Sequence, residues 1–146
     1  MGIIKSIKTN HFEYKVKRNW DCTYWFFDLH GTVLKPNYTY GNTPTEFYPY
    51  AKECLQFLSK LPDIIMIIYT CSHPHEIEEY IKLFKENDIN FKYVNENPDV
   101  PTDINGYGCY DKKPYMNVLF EDKAGFDPEV EWVEVLNYMK EHYPNI

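Results

Sequence analysis

Hydrophobic and polar positions alternate along this chain in two distinct rhythms. Thr23 to Phe27, Ile64 to Tyr69 and Val118 to Phe120 are apolar or aromatic at nearly every position. Short runs of that kind are strands buried on both faces, the habit of a parallel sheet. Phe91-Lys92-Tyr93-Val94 predicts one more parallel strand. Between them the spacing changes to that of a helix. Ala51, Cys54, Leu55, Leu58 and Leu61 form one stripe, so a helix is predicted from Pro49 to Lys60, stopped by Pro62. Ile77, Tyr80, Ile81 and Phe84 form another, in a helix that starts at Pro74 with Ser72 or His73 as its cap. Asp127-Pro128 predicts the start of a last helix, with Trp132, Val135, Leu136, Met139 and Tyr143 facing inward. At the N-terminus, Phe12, Tyr14 and Val16 alternate with Glu13, Lys15 and Lys17, which predicts a strand in residues 3–18. Residues 35–49 and 95–117 follow neither rhythm and are rich in Pro, Gly and Asn.

This order of elements predicts an α/β fold. It is a three-layer, Rossmann-like arrangement with a mostly parallel central sheet. Residues 1–20 read as a basic, strand-like extension and residues 21–146 as one domain. With 146 residues, 44% of them apolar and 18% aromatic, there is ample material for one core. The formal charge is -7, but it is uneven. Lys5, Lys8, Lys15, Lys17 and Arg18 face only Glu13 in the first eighteen residues, a local +4 that leaves -11 on the rest. An acidic body disfavours tight nonspecific binding of nucleic acid and suits a site that gathers cations. No apolar run approaches the ~20 residues of a membrane span, so no membrane partner is expected. The N-terminus lacks the apolar stretch of a signal peptide. Cys22, Cys54, Cys71 and Cys109 are read as reduced, mostly buried thiols of a cytoplasmic protein.

The ends of parallel strands share one edge of a sheet, so residues far apart in sequence converge there. At that edge the prediction places Asp28, Thr70 with Ser72, Lys112 or Lys113, and Glu121 with Asp122. A carboxylate can attack phosphorus. Two carboxylates at one site call for a bridging cation, and oxygen ligands suit Mg²⁺. A Lys and a hydroxyl neutralise the phosphoryl oxygens as charge spreads over them. Lys113 is favoured over Lys112 because Pro114 follows it. Cys71, His73 and His75 have the residue types of a metal cluster but no common zinc spacing, so zinc is not expected. Tyr38, Tyr40, Tyr48 and Tyr50 either line the pocket or pack their loop.

On these residues the chain resembles the haloacid dehalogenase superfamily, most of whose members are Mg²⁺-dependent phosphatases. The motifs are Asp28-Leu29-His30-Gly31-Thr32-Val33 after a strand, Thr70 at a second strand end, Lys113-Pro114, and Glu121-Asp122 at a third. The resemblance runs over residues 23–140. It implies that Asp28 is the nucleophile and a Mg²⁺ ligand, and that the backbone carbonyl of His30 is another ligand. Thr70 would hold the phosphoryl group, and Lys113 would pair with Asp28 and the phosphate. Asp122 would bind the metal with Glu121 in support. Gly31, Thr32, Cys71, Ser72 and Lys112 are the further candidates for contacting substrate.

His30 departs from the family pattern, which has an acid/base Asp at that position. An imidazole, with an ordinary pKa of about 6.5, can do both jobs near neutrality. Two readings follow. One is a phosphomonoester hydrolase acting on a nucleotide, a nucleic-acid end or a small phosphorylated metabolite. The other is an attenuated phosphate- and Mg²⁺-binding or regulatory domain. The segments between the motifs are too short for a large cap domain. An open site of this kind takes phosphate on a large molecule or borrows a lid from a second copy in a homo-oligomer. Residues 95–112, with Tyr107 and Tyr110, are the expected substrate-contacting loop.

Overall fold

The computed structural model describes residues 2–37 and 43–146. Tyr38 and Tyr40 lie outside these, and with them half of the aromatic cluster expected near the pocket. Four parallel strands form the sheet among the described residues: β1 (Thr23–Asp28), β2 (Ile64–Tyr69), β3 (Tyr93–Val94) and β4 (Val118–Phe120), in the order β3-β2-β1-β4. β1 lies in the centre, paired from Thr23↔Ile64 to Asp28↔Tyr69 on one side and from Trp25↔Val118 to Phe27↔Phe120 on the other. β3 is shorter than the sequence predicts; the chain at Phe91 and Lys92 is held by one bond, from Lys92 N to Met66 O, before regular pairing begins.

Three helices lie where the stripes predict them: α3 (Ala51–Leu58), α4 (Pro74–Glu86) and α5 (Glu131–His142). Asp127-Pro128 does not cap the last one, because Asp127 accepts from the Glu129 N–H in a turn and α5 begins only at Glu131. Pro74 takes the first position of α4, and His73 is its cap, with its backbone N–H donating to Glu76. Side chains alternate across β1. Trp25 and Phe27 point into the main core, where Phe27, Phe120 and Trp132 stack at 4.6–6.3 Å between ring centres. Phe26 and Ile67 are equally buried on the opposite face. The fold is therefore Rossmann-like α/β, an all-parallel sheet flanked by helices.

The N-terminal segment is not a strand. Residues 2–17 form helical turns throughout: α1 (Gly2–Ile7), a π-helical stretch (Lys8–Glu13) and α2 (Tyr14–Lys17). The predicted alternation put Val16 on a buried face, yet it is 81% exposed. The residues that go inward are Ile3, Ile7 and His11, spaced by four. On an ordinary α-helix a step of four drifts by about 40°. The wider π turn takes up the drift and keeps the three on one side. Ile3 and Ile7 join the same core cluster as the sheet.

A buried polar chain ties this segment down. Trp25 Nε1 donates to Thr23 Oγ1 at 2.9 Å, and that hydroxyl lies 2.6 Å from His11 Nδ1. His11 Nε2 lies 2.8 Å from the Tyr143 hydroxyl, which donates to Asp63 at 2.6 Å; Lys15 pairs with the same carboxylate. Tyr143 has one proton and gives it to Asp63. His11 must then donate from Nε2 and accept at Nδ1 from Thr23. Burial, with the Lys15 charge, pushes the His11 imidazole down to about 4 against the pull of Asp63. It is a neutral, fully bonded core histidine.

All four cysteines are unpaired. Burial holds only for part of the set: Cys54 is inside, whereas Cys71 and Cys109 are exposed, because they sit in loops beyond the strand ends. No helix among the described residues is long and apolar enough to cross a membrane.

Candidate functional site

The site grows from the tight turn after β1. The Leu29 carbonyl accepts from the N–H groups of Thr32, Val33 and Leu34 at 2.9–3.2 Å, and Gly31 N–H donates to Leu34. Gly31 has φ of +85°, and a Cβ there would lie 2.9 Å from Asp122 Oδ2. Both the conformation and the close approach call for glycine. Trp132 reaches across from α5 and donates to the Thr32 carbonyl at 2.8 Å, fixing the turn from below.

This turn brings the β1 and β4 ends together. Carboxylate oxygens of Asp28, Glu121 and Asp122 all lie within 4.8 Å of one another. Thr32 is fully buried, and its hydroxyl sits between two of these acids. It lies 2.9 Å from Asp28 Oδ2 and 3.1 Å from Asp122 Oδ1, and it accepts from Asp122 N–H at 2.9 Å. The sequence marks Thr32 as a substrate contact; the structure engages its hydroxyl with the carboxylates.

Three acids this close cannot all ionise cheaply. At an effective dielectric of about 20, two unit charges at that separation repel by roughly 3 kcal/mol. Asp28, half-buried, is pushed up to about 7 by burial, with the charges of Glu121 and Asp122 adding and the Thr32 hydrogen bond opposing. Glu121 is also raised, by burial and by Asp122. Burial would raise Asp122 too, but hydrogen bonds from Glu121, Thr32 and Asp28 outweigh it and hold its carboxyl below the usual range. A divalent cation would remove this conflict, and an all-oxygen donor set is what Mg²⁺ takes. The residues present fit that ion.

The other predicted residues are placed as follows. Thr70 follows β2 directly, on the same edge as Asp28, whose Cα partner is Tyr69. Its hydroxyl lies 2.7 Å from that of Ser72. Asn95, just after β3, clasps the Thr70 backbone on both sides, accepting from its N–H at 2.7 Å and donating to its carbonyl at 2.8 Å. His30 Nε2 lies 2.5 Å from the hydroxyl of Tyr80, a fully buried residue of α4. Burial pushes that phenol up to about 12, so it keeps its proton. Lys112 and Lys113 are exposed in the loop between β3 and β4, and no ion pair joins either to a carboxylate among the described residues. Cys71 is exposed beside Ser72. Tyr50 and Tyr107 are exposed as well.

Sequence reasoning missed Asn95 and Tyr80 as parts of the site. Asn95 has φ of +57°, a conformation Asn tolerates better than most residues. An Asn at a strand end is a usable signal for such a turn. Tyr80 looked like one more core aromatic, and nothing in the pattern distinguished its hydroxyl.

No protein-family model and no curated protein sequence matches the chain. Among solved structures it is similar to that of a conserved protein coded by a locus from Bacteroides thetaiotaomicron. The identity is 20% and the TM-score 0.61, over 83% of this chain and 92% of that one. That likeness is one of fold: this chain shares the α/β architecture built around its parallel sheet.

Proposed function

We propose that this chain is a Mg²⁺-dependent phosphomonoester hydrolase of the haloacid dehalogenase type, working through a phosphoryl group on Asp28. The observation that carries the reading is the convergence of Asp28, Glu121 and Asp122 within 4.8 Å at the ends of the two central strands. Asp28, Glu121, Asp122 and the His30 backbone carbonyl would hold Mg²⁺, which would offset their charge and that on the phosphoryl oxygens.

The chain's own groups then have distinct tasks. A carboxylate oxygen of Asp28 forms a bond to phosphorus as the ester P–O bond breaks. The leaving oxygen takes a proton from the His30 imidazole. Thr70 donates a hydrogen bond to the phosphoryl oxygens, and Lys113 or Lys112 swings in from its loop to add positive charge, while the donors of the Gly31-Thr32 turn stay engaged with Leu34, Leu29 and the carboxylates. Water then attacks phosphorus and gives its proton to His30. Inorganic phosphate leaves, and Asp28 is regenerated. The substrate is a phosphomonoester: a nucleotide, a nucleic-acid end or a small metabolite.

A second reading, a phosphate- and Mg²⁺-binding regulatory domain with little turnover, draws on one observation: the His30 ring is tied to Tyr80. A phosphoester panel assayed with Mg²⁺ separates the two. Turnover by the wild type, abolished in Asp28→Asn, supports the hydrolase. Turnover only after His30→Asp refutes it in favour of the regulatory domain.

A further inference from the structure

We infer that this chain has a second binding site, an aromatic cavity at the start of β1 that takes a small alkylammonium cation. The inference does not rest on the hydrolase reading. The cavity measures about 420 Å³. Trp20, Tyr24 and Tyr115 contribute its rings, and Val100 adds an apolar contact from the loop between β3 and β4. The rings meet at near right angles: Trp20 and Tyr115 at 89°, Tyr24 and Tyr115 at 83°, with centres 6.4 and 6.3 Å apart. Rings so placed wall a space instead of stacking to fill it. None of the three belongs to the main core, and all are only half-buried. Tyr24 precedes Asp28 by four residues on β1, roughly 13 Å at ~3.3 Å per residue, so the cavity is separate from the carboxylates.

Asn117, just before β4, braces two of these residues. Its backbone N–H donates to the Tyr24 carbonyl and its side-chain oxygen accepts from the Tyr24 N–H, both at 2.8 Å. Its amide nitrogen donates to the Tyr115 hydroxyl at 3.0 Å. The walls are thus held by the fold itself, which lowers the ordering cost of binding. Charge selects the occupant. Asp21 is the only charged side chain lining the cavity among the described residues. The face of an aromatic ring carries the negative part of its quadrupole and draws cations. Arg18, outside the lining, already uses this attraction: its guanidinium carbon lies 5.6 Å from the centre of the Trp20 ring and 4.9 Å from that of Tyr14. Three rings and one carboxylate suit a compact organic cation, whose alkyl groups fill apolar space while its charge meets the rings.

The test is titration of the full chain with choline, at an ionic strength held constant with NaCl. It is followed by calorimetry and by the ¹⁵N–¹H resonances of the indoles. A parallel titration uses dimethylbutanol, the neutral isostere with carbon in place of nitrogen. The expected result is saturable binding of choline that moves the Trp20 indole and leaves those of the buried Trp25 and Trp132 in place. The alcohol should bind at least about fivefold more weakly, and Trp20→Leu should weaken choline at least about threefold. Mg²⁺ should leave choline binding within about twofold, because it is drawn to the carboxylates instead. Equal affinity for choline and the alcohol overturns the inference in favour of a plain apolar pocket. That comparison is made on the wild type and decides the matter even if the variant fails to fold. No saturation by about 100 mM choline overturns it too. Displacement of choline by Mg²⁺ places the cation among the carboxylates and overturns it as well.

Discussion

Replacing His11 with Gln should change the pH dependence of stability between pH 6.5 and 4. His11 is pushed down to about 4 by burial and by Lys15, against an ordinary value of 6.5. Above pH 6.5 the ring is neutral in both folded and unfolded chains and has no effect. As pH falls below 6.5 the unfolded chain takes up a proton that the folded chain refuses. Stability is therefore lost between pH 6.5 and 4, and the loss levels off below. A gap of about 2.5 units at ~1.4 kcal/mol each amounts to roughly 3 kcal/mol. That is a large share of the ~5–15 kcal/mol of a typical domain. Gln keeps a donor but cannot bridge Thr23 and Tyr143 together, so at pH 7 the variant should be about 1–2 kcal/mol less stable. At pH 4 it escapes the penalty and should be the more stable protein by a similar margin. The assay is urea unfolding of both proteins from pH 7.5 to 4 in the presence of a chelator. Asp28, raised in the folded state, acts with the opposite sign but equally in both proteins, so it cancels in the difference. Parallel stability curves with a constant gap would refute the account of His11 as a buried neutral base.

Two further outcomes follow from the site. Because Asp28 is held near 7 without a cation, Mg²⁺ must displace a proton; its affinity should rise up to about tenfold per pH unit from pH 5.5 to 7 and then flatten. Calorimetric titration at several pH values measures this, and a pH-independent affinity contradicts the charge conflict described above. Gly31→Ala places a Cβ 2.9 Å from Asp122 Oδ2 at φ of +85°, so the variant should lose about 1–3 kcal/mol of stability and bind Mg²⁺ more weakly. Thermal unfolding and the same titration test it, and wild-type values in both would show that the turn has more room than this geometry allows.

Most of the sheet was legible because a parallel strand buried on two faces has little choice of residue. Trp25, Phe26 and Phe27 are all fully buried, and so are Ile67 and Ile68. The N-terminal segment was misread because two patterns overlap there. Phe12, Tyr14 and Val16 have the period of a strand, while Ile3, Ile7 and His11 have the period of a widened helix. What decides between them is His11, whose burial is repaid by Thr23 and Tyr143, twelve and 132 residues away in the chain. No local pattern contains that information.

The site divides along the same line. A residue on a strand end is located by its strand, so Asp28, Thr70, Glu121 and Asp122 could be placed at one edge from sequence order alone. The groups that make the edge chemical are located by tertiary contacts. Thr32 reads as part of a turn, yet its hydroxyl sits between Asp28, four residues before it, and Asp122, ninety residues after it. Gly31 reads as turn flexibility, yet the nearest atom to its missing side chain is a carboxylate oxygen of Asp122, in the turn after β4. Lys113 shows the converse: the sequence favours it, but it sits on a loop with no strand to aim it, and no carboxylate among the described residues holds it. The rigid half of the site, carboxylates braced by Thr32, Gly31 and Trp132, can thus keep its charges close without ligand. The lysine half has no such brace among the described residues.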